Sequence, residues 1–291
     1  MPPLSIVFCG TPPFACPPLR ALAHDPAFTV THVITQPDRP VGRKQEITPS
    51  PIKILAGELS IPVLQPEHIN TELNLSACDQ RPDFLVVVAY GQMFSKKLLD
   101  WPRIAPINLH ASLLPHLRGA APVQYAILEG ATETGVTVQE MKEKLDTGPI
   151  LSQMRVSIDA RETYASLSKR LSSEGAELLL QTLKQPLQSV DQREAEATYC
   201  QKLTKGMGVA DVQRMTAEEI DRRIRALTPW PGVKMVWNGK DVILLESCLA
   251  PHPEACELSC AEGTLLYVIS LRPANGKTMR GKEWQSQHHK K

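Results

Sequence analysis

The sequence predicts an α/β protein, with a doubly wound sheet over the larger N-terminal part of the chain and a smaller β-barrel domain after it. Three observations predict it. Short apolar, β-branched runs alternate with helix-patterned stretches up to residue 184, the mark of successive right-handed βαβ units. The run Phe84–Ala89 is apolar at every position, which suits a strand covered on both faces. After a polar stretch at 185–206 the pattern changes to one helix and several short strands separated by turn residues, as in a small barrel.

The elements follow in order. Leu4–Cys9 is an apolar run ending at Gly10 and reads as the first strand. A helix is expected over 13–24, with prolines at its start, where a missing N–H costs nothing. Residues 28–35 are rich in β-branched side chains and read as a strand, and 36–51, with several prolines, as a long loop; Pro49-Ser50-Pro51 opens a helix through Glu58. Strands are expected at 84–89, 104–110, 135–141 and 150–158, and a helix at 122–129. Residues 163–184 repeat apolar positions at three-to-four spacing, an amphipathic helix. Thr216 and Glu219 form a capping box for a helix through Leu227. Strands near 233–237, 241–246 and 264–270 follow, with turns at Asn238-Gly239 and Glu262-Gly263. The resulting division is a domain at 1–189, a linker at 190–205 and a domain at 206–291.

Composition excludes several classes. Of 291 residues, 42% are apolar and 22% charged, enough for an ordinary core and unlike a disordered chain. No apolar run is long enough for a membrane helix, and the N-terminus lacks the basic segment of a secretory signal. Seven cysteines, an odd number spread along the chain, favour free thiols in a reducing compartment, so a cytoplasmic location is expected. The net charge of +1 names no polyanionic partner. Its distribution is uneven: residues 1–201 carry 18 Lys/Arg against 21 Asp/Glu, and residues 202–291 carry 14 against 10. That suits an enzyme with an RNA-binding appendage, or simply a solvated surface.

Gly10-Thr11-Pro12-Pro13 has prolines where a dinucleotide-binding loop needs its later glycines, so NAD or FAD binding by that route is not expected. Asn108 and His110 lie two apart on a strand and share a face at its C-terminal end, where open α/β sheets place their sites. An amide beside an imidazole can polarise a carbonyl and move a proton, or be structural. Asp146, in Leu145-Asp146-Thr147-Gly148-Pro149, either bonds backbone amides in a turn or serves chemistry if it reaches His110. Cys248, His252, Cys256 and Cys260 recur every four residues, but Pro251 and Pro253 prevent a helix there and the spacing is not that of a zinc site; no metal is expected. Arg222, Arg223, Arg225 and Lys234 could meet RNA, yet Glu218, Glu219 and Asp221 beside them read as a charged helix face. Trp230, between Pro229 and Pro231, is expected as a packing anchor.

Taken in order, Gly10-Thr11-Pro12 with Phe14-Ala15, Gln36-Pro37-Asp38-Arg39-Pro40 with Gly42-Arg43, Val88-Ala89-Tyr90-Gly91, Asn108-Leu109-His110, Ser112-Leu113-Leu114-Pro115, Arg118-Gly119-Ala120-Ala121-Pro122 and Leu145-Asp146-Thr147-Gly148 resemble the 10-formyltetrahydrofolate-dependent formyltransferases, over residues 4–240. The resemblance is to members that formylate the α-amine of methionyl-initiator tRNA. It implies a Rossmann-like catalytic domain, a linker and a C-terminal barrel resembling an OB fold that helps hold tRNA. It implies 10-formyltetrahydrofolate as formyl donor and initiator tRNA as partner, with no membrane; a monomer is expected. It places catalytic roles on Asn108, His110 and Asp146, folate contacts on Val88, Tyr90, Gly91, Ser112, Leu113, Leu114 and Pro115, and tRNA contacts on Arg39, Arg43 and Lys44. In that chemistry Asn108 and protonated His110 would hold the oxyanion, Asp146 would orient the imidazole, and a proton would pass through His110 or a water to the leaving nitrogen. A small amine, such as glycinamide ribonucleotide or an amino sugar, would use the same set; the arginine-bearing loop and the added domain favour tRNA. The chain departs from the family pattern at Lys205–Ala210 and Arg280–Lys291.

Overall fold

The computed structural model describes residues 2–42, 45–73 and 80–288. By its contacts the chain divides into two units. Met1–Pro122, Glu133–Ser157 and Ser168–Cys200 form the first; Val123–Thr132, Ile158–Leu167 and Gln201–Lys291 form the second. The stretch read as a linker is thus divided, with residues 190–200 packed as part of the first unit.

The strands of the first unit are β1 (Leu4–Gly10), β2 (Phe28–Ile34), β3 (Arg39–Val41), β4 (Glu46–Thr48), β5 (Val63–Leu64), β6 (Phe84–Val88), β7 (Ala105–His110), β8 (Arg118–Gly119), β9 (Glu133–Glu140), β10 (Ile150–Ser157) and β11 (Tyr199–Cys200). Seven of them form one sheet in the order β10-β9-β7-β6-β1-β2-β5; β3 and β4 make a hairpin, and β8 and β11 a short parallel pair. From β5 through β7 the sheet is parallel, as the alternation of strands and helices predicts. The chain moves outward from β1 to β2 and β5, then returns to β6 and β7 on the other side, so the strand order reverses beside β1. The last two strands depart from the expected βαβ pattern: β9 runs antiparallel to β7, and β10 antiparallel to β9. The short link at 141–149 cannot hold the crossover that a parallel pair needs, so β9 and β10 form a hairpin.

Both faces of this sheet are covered. The helices of this unit are α1 (Cys16–His24), α2 (Pro51–Glu58), α3 (Ile69–Glu72), α4 (Lys96–Leu99) and, from Ser168 on, α6 (Tyr164–Leu183); α5 (Pro122–Leu128) belongs, apart from Pro122, to the second unit. Val7, Cys9, Leu85 and Val87 pack on one face with Ile69 of α3 and Leu98 and Leu99 of α4. On the other face α6 approaches β7 so closely that a Cβ at Gly175 would stand 2.9 Å from Leu109 Cδ2. Each fully buried aliphatic side chain of this kind contributes about 1.5–3 kcal/mol, and together they fix the strand ends from which the site loops leave.

In the second unit α7 (Ala217–Leu227) starts at Thr216 with both halves of the capping box formed and buries Ile220, Ile224 and Leu227. β12 (Val233–Trp237), β13 (Lys240–Cys248), β14 (Cys256–Ser259) and β15 (Leu265–Pro273) form an antiparallel sheet in the order β12-β13-β15-β14, and β16 (Met279–Arg280) also pairs with β15. Irregular register between Leu244 and Ser247 bends β13. The sequence pattern does not reveal β14, because the strand is short and directly follows a proline-interrupted loop. The divergent chain end forms β16 and α8 (Gly281–His288), and Trp284 within it is 1% exposed. Trp284 is therefore an anchor of this unit, whereas Trp230, the expected one, is 53% exposed. Among the described residues no group of His, Cys, Asp or Glu is gathered to hold a metal ion: Cys256 and Cys260 are buried, and the Cys248 thiol donates to the Ala250 carbonyl. Among the same residues no helix is long and apolar enough to cross a membrane.

Candidate active site

β7 brings Asn108 and His110 to one face, opposite Gln139 and Thr137 of β9. Asn108 Nδ2 donates to the Val87 carbonyl at 3.0 Å. Gln139 Nε2 donates to Asn108 Oδ1 at 3.1 Å and to Asp146 Oδ1 at 3.2 Å. Asp146 sits in the β9–β10 connection at φ +53°, a left-handed conformation that aspartate tolerates. Its Oδ2 accepts from the Gly119 backbone N–H at 2.8 Å. His110 Nδ1 lies 3.7 Å from Asp146 Oδ1, and both side chains are 8% exposed. His110 Nε2 is 3.0 Å from the Leu117 carbonyl, which can only accept, so Nε2 carries a proton and Nδ1 is the nitrogen turned to Asp146. The three side chains expected to act together do converge.

The loop after β7 is held by its backbone. Thr137 Oγ1 donates to the Ser112 carbonyl at 2.6 Å and accepts from the Leu114 N–H at 3.1 Å. Gln153 donates to the Leu114 carbonyl at 2.8 Å, and Ser112 Oγ to the His116 carbonyl at 2.5 Å. Leu113 lies against Gly135, where a Cβ would stand 2.5 Å from Leu113 Cδ2, and Pro115 accepts from the Thr198 N–H at 3.3 Å. Val88 is fully buried at the end of β6, and Gly91 has φ +93° with open space around its Cβ position. The Tyr90 ring belongs to the apolar cluster beneath, 5.7 Å from Phe94, and its buried hydroxyl lacks a hydrogen-bond partner among the described residues; burial pushes that phenol up. What Tyr90 offers its surroundings is its carbonyl, which accepts from Thr11 and Gln36. Arg39 pairs with Glu67 at 2.5 Å. Arg43 and Lys44 lie outside the described residues. In the second unit Arg222 pairs with Glu218 and Arg223 donates to the Met207 carbonyl, but Asp221 is not part of an exposed charged face: it is buried, and Arg225 binds it and the Glu162 carbonyl.

Sequence reasoning missed the side chains behind this site. Arg118, which opens the Arg118–Pro122 motif, is 1% exposed. Its Nε and Nη2 donate to Gln192 Oε1 at 3.0 and 2.9 Å, and its Nη1 to Glu194 Oε2 at 2.7 Å and Tyr199 OH at 3.1 Å. The guanidinium also lies 5.8 Å from the centre of the Tyr199 ring. The hydrogen bond from Arg118 holds the Glu194 carboxyl below its usual range. Gln192 Nε2 in turn donates to the carbonyls of Asp146 and Gly148 at 2.9 and 2.7 Å and approaches Gln139 Oε1 at 3.4 Å. Gln139 did leave a signal, a polar residue in a valine-rich strand that proves 2% exposed. Gln192, polar within a polar stretch, left none.

A mixed sheet whose ends gather an amide, an imidazole and a carboxylate defines a class. Residues 5–183 match the formyl transferase family, and residues 202–289 match the formyl transferase C-terminal domain. Within that class, the methionyl-tRNA formyltransferase of Halalkalibacterium halodurans is 40% identical over 299 residues, 97% of this chain and 94% of that protein, and the chain belongs to the methionyl-tRNA formyltransferase family. Among solved structures, the N-formyltransferase of Helicobacter canadensis in complex with folinic acid and dTDP-3-aminofucose shares the fold at TM-score 0.67 and 18% identity, covering 91% of this chain and 98% of that one. HypX of Aquifex aeolicus in complex with tetrahydrofolic acid does so at TM-score 0.64 and 15% identity; the match covers 99% of this chain but only 48% of HypX.

Proposed function

We propose that this chain transfers the formyl group of 10-formyltetrahydrofolate to the α-amino group of methionyl-initiator tRNA. The convergence of Asn108, His110 and Asp146 at the end of β7 is the observation that carries it. The acceptor amine has a reference pKa of about 7.7–8.0, so neutral nucleophile is present near neutral pH and the enzyme needs none of its own. As the amine attacks the formyl carbon, the Asn108 N–H left over from its bond to Val87 donates to the developing oxyanion. The proton shed by the amine passes by way of His110 Nδ1, beside Asp146, or of a water, to the folate nitrogen that leaves. Val88, Gly91 and the Ser112–Pro115 loop receive the folate, with Tyr90 supporting them from the core. Arg39, Arg43 and Lys44, with the C-terminal unit as an OB-like barrel, hold the tRNA of a monomeric, cytoplasmic enzyme.

The test is formyl transfer to charged initiator tRNA, with elongator tRNA and small amines as controls. Asn108→Ala and Asp146→Ala should each lower turnover at saturating tRNA by about a hundredfold or more. Arg43→Ala should raise the tRNA KM and leave folate affinity unchanged. Small amines serving as well as tRNA, or near-normal turnover in both site variants, overturns the proposal.

A further inference from the structure

An amide side chain has a donor end and an acceptor end of the same shape, and its neighbours decide which way it faces. Beside the candidate active site four side chains settle this one after another. Arg118 carries only donors, and two of them point at Gln192 Oε1, which fixes that oxygen toward the guanidinium. Gln192 Nε2 then faces acceptors alone: the carbonyls of Asp146 and Gly148 and, at 3.4 Å, Gln139 Oε1. Gln139 Nε2 is thereby turned to Asn108 Oδ1 and Asp146 Oδ1, and both of its hydrogens are used. Asn108 is left with its nitrogen outward. One hydrogen goes to the Val87 carbonyl, and the other has no acceptor among the described residues.

We propose that Arg118, Gln192 and Gln139 are positioning residues that form a one-way hydrogen-bond relay, holding Asn108 with an N–H toward the reacting carbonyl and the Asp146 turn against His110. The proposal rests on the roles given above to Asn108 and Asp146. Arg118 and Gln139 are 1% and 2% exposed, so neither finds replacement partners in water when the chain is broken. The order also has one sense only. Reversing Gln139 sets its oxygen against the Asp146 carboxylate, and reversing Gln192 sets its N–H groups against the guanidinium.

Gln192→Glu tests the relay. It keeps the length of the side chain and the contact with Arg118 but replaces the donor by a second acceptor. We expect kcat to fall by about tenfold or more, with KM for both substrates within about twofold. The side-chain amide signals of Asn108 and Gln139 in nuclear magnetic resonance spectra should shift. A role in packing alone leaves kcat and those signals in place. Arg118→Lys is the second variant: it keeps a charge for Glu194 but not the two-pronged hold on Gln192, and should lower kcat in the same way. Asn108→Ala, measured alongside, separates two failures. Normal turnover in Asn108→Ala overturns the reading of the site itself. An impaired Asn108→Ala beside Gln192→Glu, or Arg118→Lys should the first variant not fold, with normal kcat and unshifted amide signals overturns the relay.

Discussion

Gly119→Ala is a small change at a place that tolerates none. The residue has φ +128°, outside the left-handed basin that other residues visit, and forcing a side chain there costs about 1–3 kcal/mol. The added Cβ would collide with the Cys200 carbonyl oxygen and stand 3.2 Å from its carbon and 3.3 Å from Sγ. Relief requires β8 and β11 to part, which moves the Gly119 N–H from its 2.8 Å bond to Asp146 Oδ2. That bond to a charged group is worth about 1.5–3 kcal/mol. The variant should therefore lose about 2.5–6 kcal/mol of stability in urea denaturation. It should also lose about ten- to a hundredfold in kcat for formyl transfer, as Asp146 shifts. Gly263→Ala is the control: its φ of +70° is also positive, but nothing lies within 4 Å of the new Cβ. It should cost about 1–2 kcal/mol and leave kcat alone. Gly119→Ala as stable and as active as this control refutes the reasoning.

In the second unit, Asp221 is 1% exposed and accepts from Arg161, from Arg225 at 2.8 Å and from Ser247 Oγ at 2.8 Å. Asp221→Ala leaves the largely buried Arg225 charge without its carboxylate and should cost about 3–5 kcal/mol in denaturation, Asp221→Asn less. Burial pushes the Cys256 thiol from 9.0 up to about 11. A folded-state value raised above the unfolded one adds stability that is complete below pH 9 and is lost as the pH climbs toward 11. The loss of unfolding free energy over that window should be shallower in Cys256→Ala than in the parent chain, and equal slopes count against the assignment.

The sequence made the parallel half of the large sheet readable, because Ile6–Cys9 and Phe84–Val88 are buried on both faces and so apolar throughout. The period of two put Asn108 and His110 on one face without further help. Strand direction after β7 was less accessible, since residue pattern sets what is buried and not which way the chain runs; only the short link at 141–149 holds the clue. The meeting of Asp146 with His110 depends on a left-handed turn residue and on an N–H of Gly119, twenty-seven positions earlier, which no local pattern encodes. Arg118 and its partners are harder still. A buried charge looks like any surface arginine until the segment that covers it is in place.

That covering segment has a consequence for how the enzyme is made. A nascent chain has synthesised every strand of the large sheet by residue 157, and all three proposed catalytic side chains with it. Yet the guanidinium of Arg118 waits a further stretch, to Gln192, Glu194 and Tyr199, before it is neutralised. A fragment cut at the end of α6 would keep the scaffold and leave the buried Arg118 charge without these partners. Only a chain that runs through Cys200 carries these partners together with the strand β11 that pairs with β8.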